Sequence, residues 1–357
     1  MRVTVALVLA AVIVSGCSGG GAPAPGPNSE TSGPVPESVS ADVVYWDALD
    51  FYSDQIPDDA QAAFNQMIVV KDERFVPYLL DLLALPTPYR ASAFEVLSGW
   101  LGDPSSFGPL GWWEKQGFRD AEDDSPEYLV FKRRLFRTLQ PELGDFLAPE
   151  APKNISAQEV MWGGVMVDGI PPLNDPAFVT PAEAAAWILP SDTVIGVEIN
   201  GDARAYPRRI IDWHEMVNDT VGGVPVSLAY CTLCGSAILY DGRVGDTVYR
   251  FGTSGLLYRS NKLMYDLQTR TLWKQYTGEP AWGELVGRDI RLDTLPVVHT
   301  TYGEWLAAHP DTSVLDIDTG FRRDYGSGVA YADYWASPEL IFPAPNRAGP
   351  LRVKDEV

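Results

Sequence analysis

The chain has 357 residues, 46% of them hydrophobic and 11% aromatic, with 48 acidic residues against 27 lysines and arginines and a net charge of -21. That apolar content supports packed cores, and the length supports two domains. The negative charge argues against binding DNA, RNA or an anionic membrane face through a basic surface.

Met1 and Arg2 are followed by residues 3–14, which are apolar apart from Thr4, and then by small residues before Cys17. Secretory signals have this three-part layout, and the run is too short to span a bilayer comfortably. Val14-Ser15-Gly16-Cys17 resembles the lipobox of bacterial lipoproteins. The resemblance implies that residues 1–17 are a signal peptide with Cys17 as the lipidated residue. The mature protein would then be extracytoplasmic and held to a bacterial cell membrane. The alternative is an ordinary signal cleaved nearby, leaving a free thiol, which is unusual in oxidising compartments. Residues 18–40, rich in Pro, Gly and Ser, hold almost nothing that could form a core and read as a flexible tether.

Residues 41–150 read as a helical module. Phe64, Met67 and Ile68 within 60–70, then Phe75, Leu79, Leu82 and Leu83 within 74–85, recur at helical spacing. Pro86-Thr87-Pro88 ends the second segment, and 89–101 makes a third with Phe94, Leu97 and Leu101 on one face. Short paired helices of this kind look like HEAT-type hairpins, too few for a solenoid. Ser125-Pro126 opens another helix as N-cap and first residue, lined by Tyr128, Phe131, Leu135 and Leu139. The module reads as a packing element or a docking surface for a protein partner.

Residues 151–325 form the second domain. Thr180-Pro181-Ala182-Glu183 is a capping box. From Thr193 the pattern becomes short alternating strands. Residues 194–199 and 203–206 flank Asn200-Gly201, a type I′ hairpin signal. Residues 224–230, 236–241, 246–251, 263–266 and 271–276 read as further strands, 212–217 as a helical turn and 302–308 as a short helix. Residues 326–357 are a C-terminal extension. The expected class is α+β: a helical module, then a mainly antiparallel β domain with a few short helices. No Gly-rich strand-to-helix turn supports a dinucleotide or phosphate site.

The concentrated chemistry is Cys231-Thr232-Leu233-Cys234-Gly235. Such a pair can ligate a metal, form a redox disulfide or form a structural bridge. The glycine after the second cysteine allows backbone amides to turn toward the sulfurs, as in zinc or iron knuckles. A full site needs more ligands, and the chain has three histidines: His214, His299 and His309. His214 is the first candidate and His299 the second, giving a Cys2His or Cys2His2 set with Cys231 and Cys234 for zinc, iron or copper. His309 reads as surface. The redox alternative gains support from export, which favours oxidised pairs. The strand expected after the pair removes the helix N-terminus that lowers thiol pKa in thioredoxin-like sites. A residue other than His after Cys234 excludes c-type haem attachment. His214-Glu215 with the pair echoes the zinc deaminases, but Glu215 is adjacent to His214 and no proline precedes Cys231.

Asp212, Glu215, Asn218 and Asp219 surround His214 in sequence. Asp212, Asn218 and Asp219 are candidates for orienting a ligating His214. Glu215 is the candidate general base. Arg259, Ser260 and Asn261 are candidates for contacting an anion or substrate. Ser260 has no base beside it that would make it a nucleophile.

Runs along the second domain resemble the bacterial and archaeal domain-of-unknown-function family 3179. They include Ala205-Tyr206-Pro207, Trp213-His214-Glu215, Gly222-Gly223-Val224-Pro225-Val226, Tyr230 to Gly235, Gly255 to Ser260, Met264-Tyr265-Asp266 and Thr300 to Trp305. The resemblance covers about residues 160–320 and leaves out the helical module. Thr232 stands where the family pattern usually has Pro, which removes a rigid element of the knuckle and no ligand. The resemblance implies an exported domain and supplies no reaction or substrate.

Overall fold

The computed structural model describes residues 73–102, 111–116 and 119–338, all within the compact unit Asp72–Val357. The segments expected to be a signal with Cys17, a tether and a helix over 60–70 all lie outside the described residues. The class is α+β, with helices first and antiparallel and mixed sheets after them. Among the described residues no helix is long and apolar enough to cross a membrane.

The helix Val76–Ala84 buries Val76, Leu79, Leu80, Leu82 and Leu83, as its spacing predicts. In Arg90–Leu101 the buried positions are Ala93, Val96 and Leu97, while Phe94 is 37% exposed. The expected Phe94 face is therefore rotated outward. Pro126–Leu139 starts as expected, with Ser125 Oγ accepting the Tyr128 N–H at 3.2 Å. Its inner face carries Tyr128, Phe131 and Leu135, and also Lys132, which the apolar spacing does not announce. Lys132 Nζ donates to Asp81 at 2.8 Å and the Tyr128 hydroxyl donates to the same carboxylate at 2.8 Å. That buried trio pins the helix to Val76–Ala84.

The β part is a stack of three five-stranded sheets among the described residues. The middle sheet contains Met216–Val221, Val224–Cys231 and Ser236–Asp241 as antiparallel neighbours. Alternation along Val224–Cys231 explains the stack. Val226, Leu228 and Tyr230 pack with Ile195, Val197, Tyr206 and Leu315 of the sheet on one side. Ala229 packs with Phe251, Met264 and Trp273 of the sheet on the other. A strand covered on both faces has little need of polar positions, hence its nearly continuous burial.

On the first side, Thr193–Ile199 and Asp202–Pro207 form the expected hairpin. Asn200 and Gly201 hold φ of 52° and 82°, as a type I′ turn demands. Its outer face is capped by Tyr302 and Trp305 of the helix Tyr302–Ala308. On the second side, Phe251–Tyr258 pairs with Asn261–Asp266, which pairs with Leu272–Lys274.

Two local expectations are corrected. The strand expected over 246–251 is broken at Tyr249 and Arg250: Thr247–Val248 forms a short ladder with Arg243–Val244, and the long strand begins at Phe251. The backbone is diverted there because Tyr249 turns back to bond Gly242 and buries its ring in the core. The helical turn expected over 212–217 also ends early. The helix is Arg208–His214, Glu215 is left-handed at φ 54°, and Met216 already begins a strand.

Candidate functional site

Strand phase delivers Cys231 to the site. It is in phase with Ala229, so it faces the sheet that carries Asn261–Asp266. The chain then makes a single 3-10 turn, Thr232–Cys234, closed by Gly235 at φ 61°. That turn folds Cys234 back onto Cys231. Both are free thiols, and the Cys231 S–H donates to Cys234 Sγ at 2.9 Å. The Cys234 backbone N–H turns back to the Cys231 sulfur, as the glycine-closed knuckle predicts.

The two sulfurs are inequivalent. Cys231 is 3% exposed, whereas Cys234 is half-buried beside the exposed Gly235. Donation of its own proton to Cys234 pushes the Cys231 thiol up, and burial pushes it further. The same donated proton holds the Cys234 thiol below its ordinary value, against the opposing effect of burial. The Asn261 amide adds to this, donating to Cys234 Sγ at 3.5 Å while bonding Gln275 Oε1 at 2.8 Å. A sulfur that is both more accessible and more acidic is the one that attacks.

Asn261 reaches Cys234 from a tight hairpin. Arg259 and Ser260 occupy its two central positions with φ of 48° and 62°, left-handed values that cost non-glycine residues energy. The Ser260 carbonyl lies 3.8 Å from Cys234 Sγ. Of the three residues expected to contact an anion or substrate, Asn261 and the Ser260 backbone are therefore at the sulfur. Arg259 is turned to Glu159, which accepts from Nε at 2.8 Å and from Nη2 at 2.9 Å. Its charge is met by a carboxylate of this chain.

Below the turn lies a buried charged group. Lys262 is 4% exposed and in phase with Met264, facing the middle sheet. Its Nζ donates to the Glu215 carbonyl at 2.8 Å and to the Tyr230 carbonyl at 3.5 Å, and it lies 3.5 Å from Glu215 Oε2. Glu215 Oε1 accepts the Thr232 N–H at 3.4 Å. Burial pulls the Lys262 ammonium below its ordinary value, and the negative charge of Glu215 opposes this. Asp212 is 4% exposed; its Oδ2 is 3.4 Å from Arg208, and its Oδ1 is buried without a hydrogen-bond partner. Burial raises this carboxyl to about 7, with Arg208 opposing and Glu215 reinforcing the rise.

The C-terminal end of the described chain closes over the knuckle. The Tyr334 hydroxyl donates to the Leu233 carbonyl at 2.7 Å, and Tyr331 bonds Glu215. Arg208 lies over the Trp335 ring at 4.8 Å.

His214 is elsewhere. It is fully buried, with Nδ1 2.7 Å from the Pro171 carbonyl and Nε2 2.6 Å from the Tyr325 hydroxyl. A carbonyl only accepts, so Nδ1 carries the proton and Nε2 accepts from Tyr325. Both ring nitrogens are thereby engaged, and burial lowers the His214 pKa to about 4. His299 sits on the exposed edge strand Val298–Thr301, paired with Ile195. Among the described residues no group of three or more His, Cys, Asp or Glu is arranged to hold a metal. The four expected ligands are thus not gathered.

The residues expected to orient His214 are also dispersed, because a strand sends successive side chains to opposite faces. Asn218 faces the sheet of Phe251, donating to that carbonyl at 2.8 Å. Asp219 faces the other way and accepts from Arg204 Nη1 at 2.7 Å and from Tyr206 at 2.7 Å. Asp212 belongs with Arg208, Tyr230 and Glu215. Neither Lys262 nor the Tyr331 to Trp335 cover was singled out in the sequence. The available signal for Lys262 was a lysine in phase with Met264 in an apolar strand.

A family model described as "Protein of unknown function (DUF3179)" matches residues 167–357. The chain belongs to this family. The match takes in the cysteine turn, Glu215, Lys262 and His214, and it runs beyond the resemblance seen in the sequence to include the aromatic cover. No curated protein and no solved structure matches the chain.

Proposed function

We propose that Cys231 and Cys234 are a redox-active dithiol that exchanges with disulfides of other polypeptides, in an exported protein tethered to the membrane through Cys17. The 2.9 Å approach of the buried Cys231 sulfur to the half-buried Cys234 sulfur carries this reading. It divides the pair into an accessible attacking sulfur with lowered pKa and a buried resolving sulfur, the division that thiol–disulfide exchange requires.

In the reductive direction the Cys234 thiolate attacks one sulfur of a partner disulfide. The partner S–S bond breaks and one partner thiolate leaves. Cys231 then attacks Cys234 Sγ and releases the second partner thiolate, so two electrons pass to the partner and a Cys231–Cys234 disulfide remains. The opposite direction runs through the same mixed disulfide.

The metal reading has less support, since the turn offers two thiolates and His214 spends both nitrogens on Pro171 and Tyr325. The lipid anchor rests on the Cys17 motif and the tether behind it.

The test is a redox titration of the purified chain with Cys231→Ser as a trap. A potential within the range of known exchange proteins, above about -300 mV, together with mixed disulfides accumulating on the trap, is expected. A potential below that range with no trapped partner would make the pair a structural bridge. Lipid labelling lost on Cys17→Ala would test the anchor.

A further inference from the structure

We propose that the buried Glu215–Lys262 pair is the proton acceptor of the resolving sulfur Cys231, a role that rests on the dithiol reading above. The pair makes long hydrogen bonds, 3.5 Å and 3.4 Å, to the chain on both sides of that cysteine. Lys262 Nζ donates to the carbonyl of Tyr230, the residue before it, and Glu215 Oε1 accepts the N–H of Thr232, the residue after it. The two side chains are 8% and 4% exposed as residues, and their charged atoms lie 3.5 Å apart, too long for a strong hydrogen bond.

Charge conservation explains why both members are needed. Ionising a buried thiol alone creates an uncompensated charge in a medium of low dielectric, which is costly. Moving the Cys231 proton to Glu215 leaves the total charge of thiol, carboxylate and ammonium at zero before and after. Lys262 then faces a thiolate instead of a carboxylate. In the step itself the Cys231 S–H bond breaks and its proton goes to Glu215. The freed sulfur pair attacks Cys234 Sγ, the bond from Cys234 to the partner breaks, and the partner sulfur leaves as a thiolate that is reprotonated from Glu215 or solvent. No further oxidant or reductant enters.

The other ionisable groups facing this cluster are Cys234 from the same turn, Tyr276, which hydrogen-bonds Cys234, Asp212 and Arg208 from the preceding helix, Tyr230 from the middle sheet, Tyr331 and Tyr334 from the C-terminal cover and Asp168 on the Lys262 side.

The test uses the purified full chain and a nitrobenzoate aromatic disulfide whose released thiolate is coloured. Stopped-flow release should be biphasic: attack by Cys234, then closure by Cys231, with the second phase absent in Cys231→Ser. For Glu215→Gln the ratio of second to first rate should fall about 100-fold at neutral pH, the scale of general-base catalysis, and recover as pH rises. Glu215→Asp keeps a buried carboxylate if Gln impairs folding, and should lower the ratio by a smaller factor because the shorter side chain withdraws the base. A ratio within twofold of the unmodified chain in a folded Glu215 variant overturns the proposal and leaves the dithiol intact. Absence of any second release in the unmodified chain overturns both.

Discussion

His214 Nε2 accepts the Tyr325 hydroxyl at 2.6 Å, joining the end of a seven-residue helix to a segment 111 positions further along the chain. With Nδ1–H on the Pro171 carbonyl, the ring ties three distant segments together. A histidine used this way is neutral, and burial keeps it so down to about 4.

That depression has a definite pH sign. In the unfolded chain the imidazole takes up its proton near its ordinary value of 6.5, whereas the folded chain resists until about 4. The stability contributed by neutral His214 is complete above 6.5 and lost progressively as pH falls toward 4, amounting to about 3 kcal/mol in order of magnitude. His214→Gln should flatten this acid slope in urea unfolding measured from pH 7 to 4. His214→Ala should cost roughly 2–4 kcal/mol at pH 7 by removing the ring's packing and its bond to the Pro171 carbonyl, while the Tyr325 hydroxyl keeps Thr319 as its partner. An unaltered acid slope in the Gln variant would contradict the assignment.

Asp212 acts in the opposite direction. Its carboxyl is raised from 3.8 to about 7 by burial, so the unfolded chain releases the proton first. Stability from this group is greatest below its unfolded value and is lost as pH rises from about 4 through 7. Asp212→Asn should be the more stable protein at pH 8, by a few kcal/mol at most, and should lose less stability between pH 5 and 8. Chemical denaturation of both proteins across that range decides it. A variant less stable than the native chain at pH 8 would mean that Arg208 and Tyr230 require the charge.

The thiol pair makes a kinetic prediction. On the proposed reading Cys234 reacts as a thiolate, stabilised by the hydrogen bond that Cys231 donates to it. In Cys231→Ala the pH midpoint for alkylation of Cys234 should move upward, and in Cys234→Ala the remaining Cys231 should be nearly inert at neutral pH because it is 3% exposed. Equal alkylation rates for the two single variants would remove the asymmetry on which the proposed exchange depends.

Gly196 tests the packing behind the site. A Cβ there would stand 2.3 Å from Cε3 of Trp305, inside the indole. Gly196→Ala should therefore destabilise by about 2 kcal/mol through overpacking, read as a lowered urea midpoint with unchanged slope. A neutral result would mean that Trp305 has room to move.

Local features of the fold were legible in the sequence because their causes span a few residues. Asn200-Gly201 encodes its own hairpin, Thr180 and Ser125 cap the helices that follow them, and a run of residues favouring extended backbone marks 224–230 as a strand. The cysteine turn was legible for the same reason: two residues between the sulfurs and a left-handed glycine are enough to bring them together. The residues around that turn were not. Grouping Asp212, His214, Asn218 and Asp219 by their nearness in sequence failed when the helix ended at Glu215 and the next strand sent Asn218 and Asp219 to opposite faces.

The sequence by itself determined the α+β class, the family and the pair of sulfurs. Tertiary structure alone decided which groups stand beside that pair. Lys262 is 47 positions from Glu215, and the two meet only because the strand of Lys262 lies in the sheet facing the strand that Glu215 leads into. The physical reason is that a buried lysine needs a carboxylate and carbonyls that its own strand cannot supply. Its partners are set by strand phase and sheet stacking, long-range properties that no short window of residues contains.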